Sequence, residues 1–146
     1  MRVIIDTSSF IRAIIENDLI AWECLQMIMA YHQQIASAEM AKELLVAIYQ
    51  VSGRKGKNPL PAFRMAALYL LGAEQVEPDY SYSWCFDPGD AMFIECAICG
   101  GAKVVISNDR SLTTLHEYVT DEEGKRLIQE IEFLTPEEFV RKYSLS

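Results

Sequence analysis

Four carboxylates occupy positions from which they could act on one substrate. Asp6 and Asp109 each follow a short apolar run that predicts a buried strand. Asp90 opens an apolar helical segment, and Glu43 lies near the start of another helix. The carboxyl ends of parallel strands meet at one sheet edge, where open α/β sheets bind their ligands. We therefore expect the four acids to converge in one crevice.

Each of these acids also has a purely structural explanation. Asp6 could cap the helix that follows it, and Asp90 could cap the helix after residues 88–89. Asp109 could be a turn residue, and Glu43 could lie on an exposed helix surface. Four unrelated caps and surface acids need not fall at strand ends and helix starts on one side of a sheet. The pattern as a whole therefore favours a shared site.

Converging carboxylates favour a bound divalent cation. Like charges at short range repel each other and raise each other's pKa unless a cation lies between them. A site made only of oxygen ligands is the kind that Mg²⁺ or Mn²⁺ prefers. The sequence therefore predicts a magnesium or manganese site formed by Asp6, Glu43, Asp90 and Asp109.

Strands and helices alternate along the chain. We predict strands at 3–5, 34–36, near 76, at 103–106 and at 131–134, and helices at 10–15, 19–29, 37–49, 60–71, 91–99, 112–118 and 136–143. The remaining segments include a basic loop at 51–59 and an acidic turn at 121–124. Such alternation is typical of an α/β fold with a mainly parallel sheet.

Composition limits the class of protein. The 146 residues are 51% apolar and 23% charged, which suits one domain spanning 1–146. No apolar run approaches the roughly 18 residues of a membrane span, and the first residues do not form a signal peptide. We therefore expect a cytoplasmic protein without membrane association.

The net charge of −8 is unusual for a protein that binds a polyanion. Either the partner is not nucleic acid, or another group, such as a bound cation, supplies positive potential. The main basic concentration includes Arg54, Lys55 and Lys57, which could contact RNA phosphates or could simply be a solvated loop.

The ordered acids resemble the PIN-domain ribonucleases, a family that includes the VapC-type toxins of bacterial toxin–antitoxin pairs. The opening VIIDTS is similar to the family's first strand and aspartate, and the helix-borne glutamate falls on Glu43 within AKELL. The third acid, with alanine seven residues later, falls on Asp90. The fourth, in a Ser-any residue-Asp pattern, falls on Asp109. The ending IEFLTPEEF resembles the strand, Thr-Pro and helix that close many members.

The resemblance implies a three-layer α/β/α sandwich and a Mg²⁺- or Mn²⁺-dependent ribonuclease that hydrolyses RNA phosphodiester bonds. Its catalytic and metal-binding residues would be Asp6, Glu43, Asp90 and Asp109. Thr7, Ser8 and Ser107 would orient these carboxylates or touch the substrate. The expected partners are the RNA, an antitoxin protein, and a second copy of the chain docked through the apolar helix at 60–71.

Two positions depart from the family pattern. Many relatives carry a further acid where this chain has Ser111, so a second metal would be held less firmly. Ser8 stands where many members have asparagine, although serine is common in the toxin branch and can make a similar hydrogen bond.

Three other classes of protein share part of this pattern. A haloacid dehalogenase-type phosphatase would need a second aspartate at the position of Ser8, and a response-regulator receiver would need adjacent acids near the first strand. Neither pattern is present. A non-catalytic PIN-like module that binds RNA or a partner protein stays open, because the chain is acidic and has Ser111. Retention of all four principal acids opposes it.

Overall fold

Five strands form a single sheet in the computed structural model, which describes residues 1–144. The strands are β1 (Arg2–Ile5), β2 (Gln33–Ala36), β3 (Glu74–Gln75), β4 (Val104–Ile106) and β5 (Glu132–Leu134). Their order is β3-β2-β1-β4-β5, and every neighbouring pair is parallel. The predicted α/β fold with a parallel sheet is confirmed.

Nine α-helices lie on the two faces of this sheet within residues 1–144. They are α1 (Thr7–Ile14), α2 (Leu19–Tyr31), α3 (Ala38–Arg54), α4 (Leu60–Gly72), α5 (Ala91–Gly100), α6 (Arg110–Thr113), α7 (Leu115–Tyr118), α8 (Glu122–Ile128) and α9 (Pro136–Tyr143). A 3₁₀ helix, Pro88–Asp90, leads into α5. Among these described residues, no helix combines the length and hydropathy that crossing a bilayer requires.

The strands bury both of their faces. Val3 and Ile5 pack with α1, α2 and α9, whereas Ile4, between them, packs with α5 and α8. Ile106 and Val105 divide in the same way between the two cores. Successive side chains of a strand point to opposite faces, so a continuous apolar run is what a sheet covered on both sides requires. The expected three-layer sandwich is confirmed.

The strand order brings the ends of β1 and β4 together. The chain proceeds outward from β1 through β2 to β3, and then returns to the other side of β1 for β4 and β5. This change of direction between β1 and β4 is the place where open α/β sheets form a crevice at their carboxyl edge. The backbone N–H of Asp6 donates to the carbonyl of Ile106 at 2.9 Å. Asp6 and the residues after β4 therefore emerge side by side.

Three segments differ from the sequence prediction, and one of them is the predicted helix at 112–118, which is divided at Thr114 into α6 and α7. Helix α3 continues through Arg54, so the prediction of a loop from residue 51 was wrong for its first four residues. Ser52 is buried there, and this packing outweighs the turn-like composition. The predicted acidic turn at 121–124 is instead the start of α8. Asp121 caps that helix by accepting from the N–H of Gly124 at 2.9 Å.

Helix α4 presents leucines to solvent on one side and packs into the core on the other. Ala62, Ala66 and Tyr69 are buried, whereas Leu68 and Leu71 are exposed. The exposed side is the surface that was expected to bind a second copy of the chain. That interface stays a prediction.

Gly100, the last residue of α5, lies where a methyl group has no room. A Cβ atom there would be 2.7 Å from Ile35 Cδ1 and 2.9 Å from Val76 Cγ2. We predict that Gly100→Ala lowers the free energy of unfolding by about 1–3 kcal/mol, because overpacking forces its neighbours apart. Gly53→Ala, in a helix with open space around it, should raise this free energy by about 0.4–1 kcal/mol. Urea denaturation measures both changes, and equal stability of Gly100→Ala and wild type would contradict the packing of α5 on β2.

Candidate metal centre

Three aspartates form a compact group at the carboxyl edge of the sheet. One carboxylate oxygen from each of Asp87, Asp90 and Asp109 lies within 4.8 Å of the other two. We call these residues the aspartate cluster. Asp90 is 8% exposed, whereas Asp87 and Asp109 are open to solvent. Asp90 and Asp109 were predicted from the sequence as site residues, and Asp87 was missed.

The 3₁₀ helix before α5 explains why Asp87 joins the cluster. Side chains three residues apart eclipse each other in a 3₁₀ turn, so Asp87 and Asp90 lie on the same side. Asp87 caps the turn by accepting from the N–H of Gly89 at 2.9 Å, and Pro88 fixes the backbone at its first position. The DPGD sequence was therefore the available signal for a second aspartate beside Asp90.

Asp90 does not act as a side-chain cap. Its carboxylate makes no capping hydrogen bond to α5, so a role as the side-chain cap of this helix does not explain Asp90. The hydroxyl of Ser111 instead donates to Asp90 Oδ2 at 2.5 Å. The Asp90 carboxylate thus faces across the crevice toward α6.

Asp109 is both a helix cap and a member of the cluster. Its Oδ1 accepts from the backbone N–H of Ser111 at 3.0 Å, and its own N–H donates to Ser107 Oγ at 2.8 Å. Ser111 therefore joins the two carboxylates, through its N–H to Asp109 and its hydroxyl to Asp90. Ser111, at the position where many members of the resembled family carry a further acid, is thus hydrogen-bonded to two aspartates.

Asp6 lies deeper and is surrounded by donors. It is 4% exposed and caps α1 by accepting from the N–H of Ser9 at 2.9 Å. Ser8 Oγ lies 3.1 and 3.0 Å from its two oxygens, and Ser107 Oγ donates to Oδ2 at 2.5 Å. Burial raises the pKa of Asp6, and the hydrogen bonds from Ser107, Ser9 and Ser8 oppose that rise.

Glu43 is half-buried on α3 rather than on an open helix surface. Burial raises the pKa of Glu43, the Thr7 hydroxyl lowers it, and the charges of Asp6 and Asp87 raise it further. The charges of other acids therefore affect the pKa of Glu43, although Glu43 lies outside the aspartate cluster. Thr7, expected from the sequence to support the carboxylates, contacts this one.

The predicted set of four acids is therefore divided between two groups. Asp90 and Asp109 belong to the aspartate cluster, while Asp6 and Glu43 lie beyond its 4.8 Å limit. Charge still connects the groups, because Asp6 raises the pKa of both Glu43 and Asp90. Asp87 raises the same two pKa values. Five carboxylates thus share one electrostatic environment.

The electrostatics of Asp90 fit a cation. Burial, followed by the charges of Asp109, Asp87 and Asp6, raises the pKa of Asp90 to about 6, against an ordinary value of 3.8, and the hydrogen bond from Ser111 opposes the rise. A hard divalent cation would relieve this repulsion, and carboxylate oxygens are its preferred ligands. The side chains present therefore suit Mg²⁺ or Mn²⁺.

The basic residues predicted to touch RNA lie at the other end of α3. Arg54 is 11 residues beyond Glu43, which corresponds to about 16 Å along a helix. Lys57 Nζ donates to the carbonyl of Ile15 at 2.7 Å, which ties this segment to the end of α1. Arg54, Lys55 and Lys57 are thus not brought beside the aspartate cluster, and their contact with RNA stays a prediction.

The raised pKa of Asp90 predicts a pH-dependent effect of Asp90→Asn in the metal-free protein. The folded-state pKa is above the unfolded one, so Asp90 contributes stability below about pH 4 that is lost as pH rises through about 6. Relative to wild type, Asp90→Asn should therefore gain about 2 kcal/mol between pH 4 and pH 7. Urea denaturation in EDTA across this range measures the gain. Glu130→Gln, at an exposed acid near the opposite sheet edge, is the control, and a constant difference for Asp90→Asn would contradict the prediction.

Comparison with known proteins agrees with this geometry. The PIN domain family model matches residues 2–111, which include β1, β4 and the whole aspartate cluster. No curated protein and no solved structure matches the chain significantly. PIN domains are generally nucleases that use divalent metal ions, and the acidic cluster is compatible with such a module. Because the match spans well over half of its length, the chain belongs to the PIN domain family.

Proposed function

We propose that the protein is an endoribonuclease that uses Mg²⁺ or Mn²⁺ to hydrolyse RNA phosphodiester bonds. The observation that carries this proposal is the aspartate cluster at the carboxyl edge of the sheet, in a chain of the PIN domain family. Ionisation of a buried acid surrounded by like charges is unfavourable, and a bound cation makes it favourable.

The aspartate cluster would hold the ion, with Asp6 and Glu43 as the next carboxylates around it. When bound, the cation supplies a more acidic water and offsets negative charge on the phosphoryl oxygens. In this arrangement Asp87 would provide a ligand that was not predicted from the sequence. It lies in the same crevice in which Ser111 replaces the family's further acid.

Serine residues hold the carboxylates in place. Ser107 Oγ donates to Asp6 and accepts from the N–H of Asp109, so it links the ends of β1 and β4. Ser111 makes the corresponding link between Asp109 and Asp90. Carboxylates fixed through backbone groups need little rearrangement when the substrate arrives, which favours catalysis.

Glu43 is the best candidate to accept a proton from the attacking water. Its carboxylate is half-buried, and burial raises its pKa above that of an ordinary glutamate. A carboxylate with a raised pKa is the stronger base near neutral pH. Thr7 would keep this carboxylate oriented toward the crevice.

A toxin function is the narrower form of the proposal. It requires an antitoxin that covers the acidic crevice, and the family resemblance supports it. The alternative is a PIN module that binds RNA or a protein without cutting, which the net charge of −8 and Ser111 favour. Cleavage assays separate these functions.

We predict that the protein cuts a labelled single-stranded RNA in Mn²⁺ or Mg²⁺ and that EDTA abolishes cutting. Asp90→Asn and Asp109→Asn should each lower the cleavage rate by at least ~100-fold, because each removes a negatively charged ligand. Glu130→Gln should stay within about twofold of wild type. Denaturing gels of the labelled RNA provide the rates.

Circular dichroism spectra of Asp90→Asn that match those of wild type under the assay conditions would exclude unfolding as the cause of the expected loss. Cutting that persists in EDTA or in both aspartate variants would contradict the proposal. RNA binding by wild type with no cutting in either metal would instead support the non-catalytic module.

A further inference from the structure

Two exposed aromatic rings pack against each other beside the aspartate cluster. Phe86 is 64% exposed and Tyr118 is 50% exposed, and their ring centroids are 4.8 Å apart. Tyr31 and Tyr49 are the other aromatic side chains of residues 1–144 that are at least half exposed. Among these four, only Phe86 and Tyr118 form a ring pair within the described residues. Because both rings are at least half exposed, burial in the core does not explain their packing against each other.

The two rings belong to chain segments that are continuous with members of the aspartate cluster. Phe86 directly precedes Asp87, so its Cα lies about 3.8 Å from that of the aspartate. Tyr118 ends α7, and α7 follows α6, the helix that Asp109 caps. The two rings therefore lie on the chain segments that lead into Asp87 and away from Asp109.

The backbone on each side of the ring pair is anchored. Before Phe86, Tyr82 is buried, and its hydroxyl donates to the carbonyl of Gly124 at 3.0 Å. On the other side, Leu115 and Val119 are buried around Tyr118. Neighbouring residues thus cover the core while the two rings point outward. Rings held in this way are preorganised to bind a flat ligand.

The ligand that suits this surface is an unpaired RNA base. Single-stranded RNA presents flat base faces that stack on aromatic rings, whereas bases in a duplex already stack on one another. Stacking needs no positive charge, which suits a protein with a net charge of −8. Building on the nuclease function proposed above, we propose that Phe86 and Tyr118 form a stacking platform that holds one base of single-stranded RNA beside the phosphate at the aspartate cluster.

Binding of a fluorescein-labelled, mixed-sequence single-stranded RNA tests the platform. Fluorescence anisotropy is measured with the full chain in Ca²⁺, and the RNA is checked for integrity afterwards. Phe86→Ala and Tyr118→Ala should each weaken binding by about 5- to 100-fold, the usual effect of losing one base stack. Tyr118→Phe keeps the ring and should bind within twofold of wild type. Tyr31→Ala, an exposed tyrosine at the end of α2 and the opposite sheet edge, is the matched control.

An abasic version of the same RNA sharpens the test. Wild type should bind the abasic RNA as weakly as Phe86→Ala binds normal RNA. Phe86→Ala should not lower the affinity for abasic RNA any further. Phe86→Leu, which retains apolar bulk without a ring, replaces Phe86→Ala if that variant does not fold. Unchanged affinity in the Phe86 and Tyr118 variants would overturn the platform, as would a wild type that binds no single-stranded RNA.

Cleavage of the same RNA in Mn²⁺ separates the platform from the nuclease function. Cutting by wild type with normal binding by Phe86→Ala would reject the platform and leave the nuclease. Ring-dependent binding without cutting would reject the nuclease and support the platform in a non-catalytic RNA-binding module.

Discussion

Repulsion among carboxylates at one sheet edge is the constraint on which the rest of the site depends. The parallel order of β1 and β4 forces Asp6 and Asp109 to emerge as neighbours, and the entry to α5 brings Asp87 and Asp90 against them. Burial, followed by the charges of the neighbouring aspartates, raises the pKa of Asp90 to about 6. A fold tolerates such crowding more readily when a cation offsets it.

Hydroxyl and backbone donors organise this crowded edge. Ser107 lies between Asp6 and Asp109, and Ser111 lies between Asp109 and Asp90. Ser107 accepts from the backbone N–H of Asp109, and the backbone N–H of Ser111 donates to Asp109. The spacing of the acids therefore follows from the spacing of the strand ends and helix starts. Phe86, next to Asp87 in the chain, packs against Tyr118. Under the proposed function, this acidic protein would bind RNA through a cation and base faces rather than through a basic surface.

Much of the fold could be predicted from local patterns. Val3 to Ile5 form a continuous apolar run because both faces of β1 are buried, and such runs followed by Asp6 and Asp109 predict parallel strands ending at a crevice. Three features were not predicted from the sequence. Asp87 enters the cluster because side chains three residues apart eclipse each other in the 3₁₀ helix, a geometry that the local composition does not specify by itself. The end of α3 depends on burial of Ser52, and α8 contains Gly124, which packs beside Trp84.

The central claim is that the aspartate cluster binds a divalent cation. Its most direct test is anomalous X-ray diffraction at the manganese absorption edge, from crystals of the full chain grown with Mn²⁺. An anomalous peak coordinated by carboxylate oxygens of Asp87, Asp90 and Asp109 is expected. Well-ordered crystals with saturating Mn²⁺ that show no peak among these three side chains would contradict it.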